Sequence, residues 1–446
     1  MSSAVFLVLA IFFGLSLRAN AGVTALSPRC SSVQSIFFGQ ARATSAAVVM
    51  EELTLSGLRR TSEEFVRDEI GFESGCTITL DDAEAAAQRL RNTNFFLSVQ
   101  FFHEKISENS IRLHFVFEEK WTLTPVVRAG SGGGVTFLVL GLYDLNALGA
   151  GIESGAQYEQ YAGAPGVSIW WRDPHVGSRD WRVSLEYAQL SRPAFFLHPT
   201  DLTYYMPLSR VTRFSVMGYR RFADWEAGLG IEPMEKNLIS SDFKSPLVFQ
   251  DFATPSESGI NVKSLLRFNK INLDDFRLDG FRSEIGGEIL LPVSSLGQKN
   301  PVVRVHGQNL FFKNFANRHN AGLRAQASWV SSGRLLELVR LGSLDGVRGL
   351  SDGERVGRLS WLANAEYRYA SYLSHWLALQ NVVFLDSGNC GVDFGTWPYP
   401  VAVSAGTGIR MGFRPIARLR FRADYAFGLH GMRRRQSWVV GMQQYF

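Results

Sequence analysis

In this chain of 446 residues, one arginine and two carboxylates are best placed to form a specific polar site. Arg348 lies in a long segment between two alternating stretches, and Glu366 and Asp386 lie in the two stretches that follow. Successive side chains of a strand point to opposite faces, and the alternate positions here are mostly apolar or aromatic. Both carboxylates therefore belong to the polar faces of their strands, where a guanidinium can form charge-assisted hydrogen bonds with them.

Motifs for bond-breaking chemistry are missing from the sequence. There is no G-x-S-x-G motif for a hydrolytic serine, no nucleotide motif, and no Cys/His spacing typical of a metal site. We therefore predict that the protein is not an enzyme and holds no cofactor or metal. The net charge of +5 comes from scattered arginines, which argues against binding to nucleic acid. Of the three cysteines, Cys30 and Cys76 can pair in an exported protein, which would leave Cys390 odd.

The first 21 residues predict a secretory signal peptide. The apolar run Ala4 to Leu17 is too short to span a bilayer as a helix, and Ala19-Asn20-Ala21 fits an A-x-A cleavage site. The alternative is an N-terminal hydrophobic strand or anchor. No later run offers some twenty apolar residues, so any membrane span must consist of strands. Residues 22–45 are rich in Ser and Ala and are interpreted as a leader segment.

Residues 46–119 predict a small α+β domain with the order strand, helix, helix, strand, strand. Thr61 and Glu64 have the spacing of a capping box, and Asp81 with Glu84 repeats the pattern before a second helix. The stretch 111–118 alternates strictly between apolar and polar residues, as a half-buried strand does. The alternative to a binding function for this domain is a simple spacer.

Residues 120–446 predict an antiparallel β-barrel. One stretch, 418–427, alternates arginines with aromatic and aliphatic residues, and three other stretches repeat the pattern. A soluble sandwich shows the same alternation, but the export signal and the aromatic residues near strand ends favour a transmembrane barrel. At roughly twenty residues per strand and connection, the segment holds about 16 strands. The final stretch places four large apolar residues on one face: Trp438, Val440, Met442 and Phe446.

Several motifs together resemble the BamA/TamA superfamily of outer-membrane assembly and secretion barrels. The N-terminal element order, with Gly57, Gly75 and the text of residues 90–96, is similar to a polypeptide-transport-associated (POTRA) domain. The stretch Val347-Arg348-Gly349-Leu350 resembles the V-R-G-[FY] loop motif of the family, with Leu in place of the aromatic residue. Phe384-x-Asp386-x-Gly388 resembles its F-x-D-x-G barrel-wall motif, Glu366 sits at its second acidic position, and Phe446 matches its terminal aromatic closing signal.

The resemblance implies a fold and a mechanism. The fold is a transmembrane barrel behind one POTRA-like domain, and Arg348 is a latch that ties an internal loop to Glu366 and Asp386 on the wall, with Phe384 under the guanidinium. Gly349 would allow a tight turn or a close approach to the wall. The function is an outer-membrane insertion factor with a lateral seam between residues 121–128 and 436–446.

The resemblance also implies partners and a location. The partners are unfolded client polypeptides, outer-membrane lipid and a periplasmic protein on the POTRA-like domain, at which strand addition is physically reasonable. The location is the bacterial outer membrane, with the N-terminal domain in the periplasm. The main alternative function is a dedicated polypeptide secretion pore, and a plain porin is a third.

Overall fold

In a computed structural model, the chain forms a small α+β domain followed by a large β-barrel. The structure describes residues 47–132, 135–161, 163–193, 196–197, 204–205, 208–240, 256–293, 300–332, 337–342, 346–350, 354–432 and 436–442. The predicted signal peptide (1–21), the leader (22–45), Cys30 and Phe446 lie outside these residues. Cys76 is disulfide-bonded, and Cys390 is a buried free thiol.

The N-terminal domain packs two helices on a four-stranded sheet. Its helices are α1 (Glu63–Ile70) and α2 (Leu80–Asn92). Its strands are β1 (Val48–Ser56), β2 (Thr77–Ile78), β3 (Phe96–Ser107) and β4 (Ser110–Glu119), in the sheet order β2-β1-β4-β3. The predicted order strand, helix, helix, strand, strand is present, with the two-residue β2 added between the helices.

The helix starts differ by one or two residues from the sequence-based prediction. Ser62, and not Thr61, caps α1, since its side chain accepts the N–H of Phe65. In α2 the capping box joins Thr79 and Asp82, and not Asp81 and Glu84. Neighbouring hydroxyl and carboxylate residues can each serve as a cap, so the residue types alone do not select between them. Neither helix of the described chain is long and apolar enough to cross a membrane.

The barrel is a closed antiparallel ring, as predicted. Sixteen strands run through its wall, and the last lies beside the first. These strands are β5 (Leu123–Gly132), β6 (Val135–Ala147), β7 (Ile152–Tyr161), β8 (Ala164–Asp173), β9 (Trp181–Pro193), β12 (Leu208–Phe222), β13 (Trp225–Ser240), β14 (Ser256–Asn269), β16 (Arg277–Pro292), β17 (Val302–Ala316), β18 (His319–Val330), β21 (Leu359–Leu373), β22 (Leu377–Gly391), β23 (Ala402–Phe413), β24 (Arg420–His430) and β25 (Gln436–Met442).

Five short strands lie in connections between the wall strands. They are β10 (Phe196–Leu197), β11 (Tyr204–Tyr205), β15 (Asn272–Asp274), β19 (Val339–Leu341) and β20 (Arg355–Gly357). β19 and β20 pair with each other inside the long connection between β18 and β21. This connection is the segment that carries Arg348.

Alternation divides the wall into an apolar outer face and a polar inner face. Outward side chains such as Leu229, Ile285 and Val383 are more than half exposed in the isolated chain. Inward side chains include arginines and glutamates that pair across neighbouring strands, such as Arg267 with Glu226 and Glu284. Lipid can cover the outer face, whereas the inner face requires water or polar partners.

The N-terminal domain docks directly on one end of the barrel. Contacts come from both helices and reach turns at distant places around the ring. The hydrogen bonds are Ser62 N to Gly149 O (2.9 Å), Asn146 Nδ2 to Thr61 Oγ1 (2.9 Å), Leu273 N to Asn92 Oδ1 (2.8 Å) and Gln88 Nε2 to Leu273 O (3.1 Å). Phe65 also stacks on His175 at 5.0 Å between ring centroids. The domain therefore lies across this mouth of the barrel and shares an apolar core with β5 and β6.

Lys120 lies between the POTRA-like domain and the barrel, and its burial should make the free energy of unfolding depend on pH. Burial lowers the pKa of Lys120 from 10.5 to about 8, and its ammonium donates to Asn94 Oδ1 at 2.6 Å. The unfolded chain therefore binds more protons between these pH values, and the free energy of unfolding should rise as the pH increases from 8 to 10.5. We expect Lys120→Met to remove this rise, measured as urea midpoints of both proteins at pH 7.5 and 10. Equal changes in the two midpoints would contradict the assignment.

Candidate functional site

The described residues 346–350 of the connection between β18 and β21, together with Leu341, pack on the inner side of the wall strands β21 to β23. Its apolar residues Leu341, Val347 and Leu350 are buried in one cluster with Leu362, Cys390 and Ala402 of the wall. Leu350, which stands where an aromatic residue was expected, is 2% exposed and belongs to this cluster. The tip of the connection is thus seated on the wall by apolar contacts on either side of Arg348.

The guanidinium of Arg348 joins three carboxylates from three strands. It donates to Asp386 on β22 in a fork, from Nε to Oδ2 at 2.6 Å and from Nη2 to Oδ1 at 2.7 Å. It also donates from Nη1 to Glu366 Oε1 on β21 at 2.6 Å and to Asp424 Oδ2 on β24 at 3.2 Å. The structure therefore brings Arg348, Glu366 and Asp386 together and adds Asp424.

An aromatic ring covers the remaining face of the guanidinium. The guanidinium carbon Cζ of Arg348 lies 3.5 Å from the centroid of the Phe384 ring, which is a close cation–π contact. Gly406 on β23 makes room for this ring, since a Cβ there would lie 2.4 Å from Phe384 and 2.1 Å from the carbonyl oxygen of Tyr425. The position of Phe384 therefore depends on a glycine of the neighbouring strand.

The two glycines predicted at the site have different roles. Gly349 has a φ of +106°, which L residues rarely adopt, so it allows the chain to turn directly after Arg348. A Cβ at Gly388 would lie 2.8 Å from Leu341 and 3.1 Å from Val347, so this position lets the connection approach the wall. Together they allow the Arg348 backbone N–H to donate to Asp386 Oδ2 at 3.1 Å.

Sequence reasoning missed three charged residues of the site. Asp424, on the inner face of β24, forms ion pairs with Arg348 and Arg410. Arg410 of β23 also donates to Glu366 Oε1 at 3.0 Å, and Arg368 of β21 contacts Glu366 Oε2 at 2.7 Å. The sequence marks all three as polar positions of alternating stretches. The alternation alone did not show which inward charges would meet.

Because the cluster is buried, each of its charged groups requires an oppositely charged partner. The side chain of Arg348 is 3% exposed, and those of Glu366, Asp386 and Asp424 are 0% exposed. Such charges are tolerated only when paired and hydrogen-bonded, and removing one partner leaves an uncompensated buried charge. The arrangement has no exposed nucleophile or base, so what it can do is hold the internal connection against the wall.

The N-terminal domain matches a known family. Residues 48–120 match the POTRA model, whose description is surface antigen variable number repeat. This part of the chain is therefore a POTRA domain. No curated protein matches the chain by sequence.

The whole fold is similar to solved outer-membrane barrels. BamA from Haemophilus ducreyi lacking POTRA domains 1–3 covers 89% of this chain and 84% of its own length at 15% identity, with a TM-score of 0.53. CdiB from Escherichia coli covers 89% and 76% at 13% identity, with a TM-score of 0.63. The chain has the fold of BamA and CdiB. CdiB from Acinetobacter baumannii is similar as well: it covers 89% of this chain and 73% of its own length at 12% identity, with a TM-score of 0.57.

The closing strand β25 of this BamA and CdiB fold carries three of the four predicted terminal residues. Trp438 and Val440 point outward from β25 and are 72% and 55% exposed. Val440 is opposite Ala423 of β24, and β5 is the other neighbour of β25. Phe446 and the side chain of Met442 fall outside the described part of the chain. The predicted seam therefore corresponds to the place where β25 meets β5.

Proposed function

We propose that the protein inserts β-barrel clients into a bacterial outer membrane through the junction of its first and last strands. In this proposal the barrel spans the outer membrane and the POTRA domain lies in the periplasm. The apolar outer wall and the polar inner wall support the location. Client strands would pair with an opened edge, because unpaired backbone groups are costly in lipid.

The observation that carries the proposal is that the Arg348 cluster connects wall strands up to the neighbour of the closing strand. Its carboxylates lie on β21, β22 and β24, and β24 is the direct neighbour of the closing strand β25. The cluster therefore stiffens the wall up to one side of the junction. In this proposal the fixed wall serves as the frame beside the edge that opens.

The composition of β5 supports the other side of the junction. Pro125 has no N–H to donate, and Gly130 and Gly132 have low strand propensity. Proline is otherwise confined to strand edges or bulges within sheets. β5 is also shorter than wall strands such as β13 and β16, with 10 residues against 16, so fewer ladder hydrogen bonds would have to open to release its partner.

The alternative is a secretion pore for one dedicated polypeptide. The fold of CdiB and BamA accommodates either function, so the proposal is tested in the host. We expect depletion of the protein to lower the levels of several unrelated outer-membrane barrels in the quantified membrane proteome. Loss of one secreted protein, with barrel levels unchanged, would replace the insertion proposal by the secretion pore.

A further inference from the structure

The turn between β23 and β24 reaches across the junction of β25 and β5 at the end of the barrel on which the POTRA domain docks, here the POTRA end. The wall order is β24, β25, β5, so this turn lies on one side of the junction and Trp121, which precedes β5, lies on the other. The backbone N–H of Trp121 donates to the Pro415 carbonyl oxygen at 2.7 Å, and that of Ala417 donates to the Trp121 carbonyl oxygen at 2.8 Å. Residues 414–419, which we call the strap, therefore join the two sides directly.

Side chains fix the strap to the first strands of the barrel. The Thr124 hydroxyl of β5 donates to the Ala417 carbonyl oxygen at 2.9 Å, and both residues are fully buried. Ala417 also belongs to the apolar core that Val126 of β5 shares with the POTRA domain. Arg418 Nη1 donates to Glu153 Oε2 on β7 at 3.1 Å. The strap is therefore attached to β5 and, two strands further along the ring, to β7.

Glu153 is the carboxylate to which Arg418 is attached. Its other oxygen accepts a hydrogen bond from Trp170 Nε1 at 3.0 Å and forms an ion pair with Arg172, both on β8. Arg418 has a φ of +55°, a left-handed conformation that residues other than Gly rarely adopt. The ion pair with Glu153 offsets part of the cost of this conformation, so loss of the carboxylate should loosen the strap.

The strap also binds the residue that connects the POTRA domain to the barrel. The guanidinium carbon Cζ of Arg60 lies 3.8 Å from the centroid of the Trp121 ring. The backbone N–H groups of Arg60 and Thr61 both donate to the Glu119 carboxylate at 2.9 Å, which holds this part of the POTRA domain beside Trp121. Trp121 is thus held by the POTRA domain on one side and by the strap on the other.

The two ends of the junction differ in how much must be broken to part them. At the POTRA end, the backbone bonds of Trp121 and the side-chain bonds of Thr124 and Arg418 must open together, and Ala417 must leave the apolar core. The opposite end of β5 contains Gly130 and Gly132, which have low strand propensity. Local opening of a protein occurs most readily where the fewest buried contacts hold the chain.

We propose that the strap holds the POTRA end of the β25–β5 junction closed, so that the junction opens from its opposite end. Arg418 and Glu153 are positioning residues in this arrangement, since they act by fixing the strap. The inference rests on the lateral opening in the proposed function and adds which end of the junction admits a client strand. It also describes the free protein, so it can be tested without clients.

The test is hydrogen–deuterium exchange, read by mass spectrometry, of the purified full chain in lipid nanodiscs. In the wild type we expect protection factors at least about tenfold higher in residues 121–124 and 414–419 than in residues 129–132. Glu153→Gln should lower the protection of residues 121–124 and 414–419 about tenfold, because Arg418 loses this carboxylate, and should leave residues 129–132 unchanged.

The matched control is Glu226→Gln. Glu226 also pairs with two arginines, Arg182 and Arg267, but all three belong to wall strands away from the junction. Its protection factors at both ends of β5 should equal those of the wild type. An equal loss of protection at the strap in both variants would overturn the inference, because any lost carboxylate of the inner wall would then suffice.

Two other results would also overturn the inference. One is wild-type protection in residues 129–132 that equals or exceeds that of the strap, and the other is unchanged strap protection in folded Glu153→Gln. Heat-modifiable gel mobility reports folding, and should Glu153→Gln fail to fold, Thr124→Val, which removes the hydroxyl that donates to Ala417, decides by the same measurement. Failure of the insertion proposal would appear in the depletion experiment instead and would leave the exchange pattern as it is.

Discussion

Replacing Arg348 by alanine should release the internal connection and abolish support of growth in a depleted host. The change leaves Glu366, Asp386 and Asp424 buried with fewer cations, and breaking a buried charge pair in this way costs about 3–5 kcal/mol. The apolar seat of Val347 and Leu350 remains, so the barrel itself should still form. We expect a lower urea midpoint and new protease cleavage in the connection.

Lysine at position 348 tests whether the two parallel hydrogen bonds to Asp386 contribute to stability and activity in addition to the positive charge. Arg348→Lys keeps the positive charge, but an ammonium cannot donate in parallel to both oxygens of Asp386 or stack on Phe384 in the same way. Its stability and activity should fall between those of wild type and Arg348→Ala.

A surface arginine supplies the control for these variants. Arg112 of the POTRA domain pairs with Glu52 and Glu104 and is 44% exposed. Exposed pairs contribute little to stability, so Arg112→Ala should change neither the urea midpoint of the barrel nor growth. Arg348→Ala that behaves like Arg112→Ala would contradict a holding role for the cluster.

Alanine at Gly406 should disturb the site without altering any charge. The added Cβ would meet the Tyr425 carbonyl oxygen at 2.1 Å and the Phe384 ring at 2.4 Å, so β23, β24 or the ring must move. Overpacking of this kind costs about 1–3 kcal/mol. Because Phe384 lies under Arg348, we expect the same protease cleavage in the connection as in Arg348→Ala, with a smaller effect.

Gly412→Ala is the matched control for this substitution. Gly412 lies on the same inner face of β23, but a Cβ there would meet nothing closer than Arg420 Cγ at 3.6 Å, an ordinary contact. Its urea midpoint and protease pattern should equal those of wild type. Similar losses in both variants would mean that β23 simply requires glycine for its strand geometry, and not for the position of Phe384.

The barrel and the POTRA domain could be predicted from the sequence because both depend on local periodicity. Alternation marks each strand by itself, and helix caps lie within a few residues of the elements that they start. The motif residues around Arg348 and Asp386 were equally visible. Local signals can shift by a residue, as the caps Ser62 and Thr79 demonstrate.

Contacts between distant segments were beyond such reasoning. Asp424 meets Arg348 across 76 residues, and the bond between Leu273 and Asn92 spans 181 residues. Which inward charges face each other depends on the register and tilt of the closed ring.

The central claim is that clients leave through the junction of β25 and β5, and photo-crosslinking tests it most directly. A photoreactive residue would replace Val440 on β25 or, as the control, Ile285 on β16, because both side chains point outward and are 55% and 53% exposed. We predict adducts with several newly made barrel proteins from position 440 and none from position 285. Equal adducts from both positions, or none from position 440, would contradict insertion through this junction.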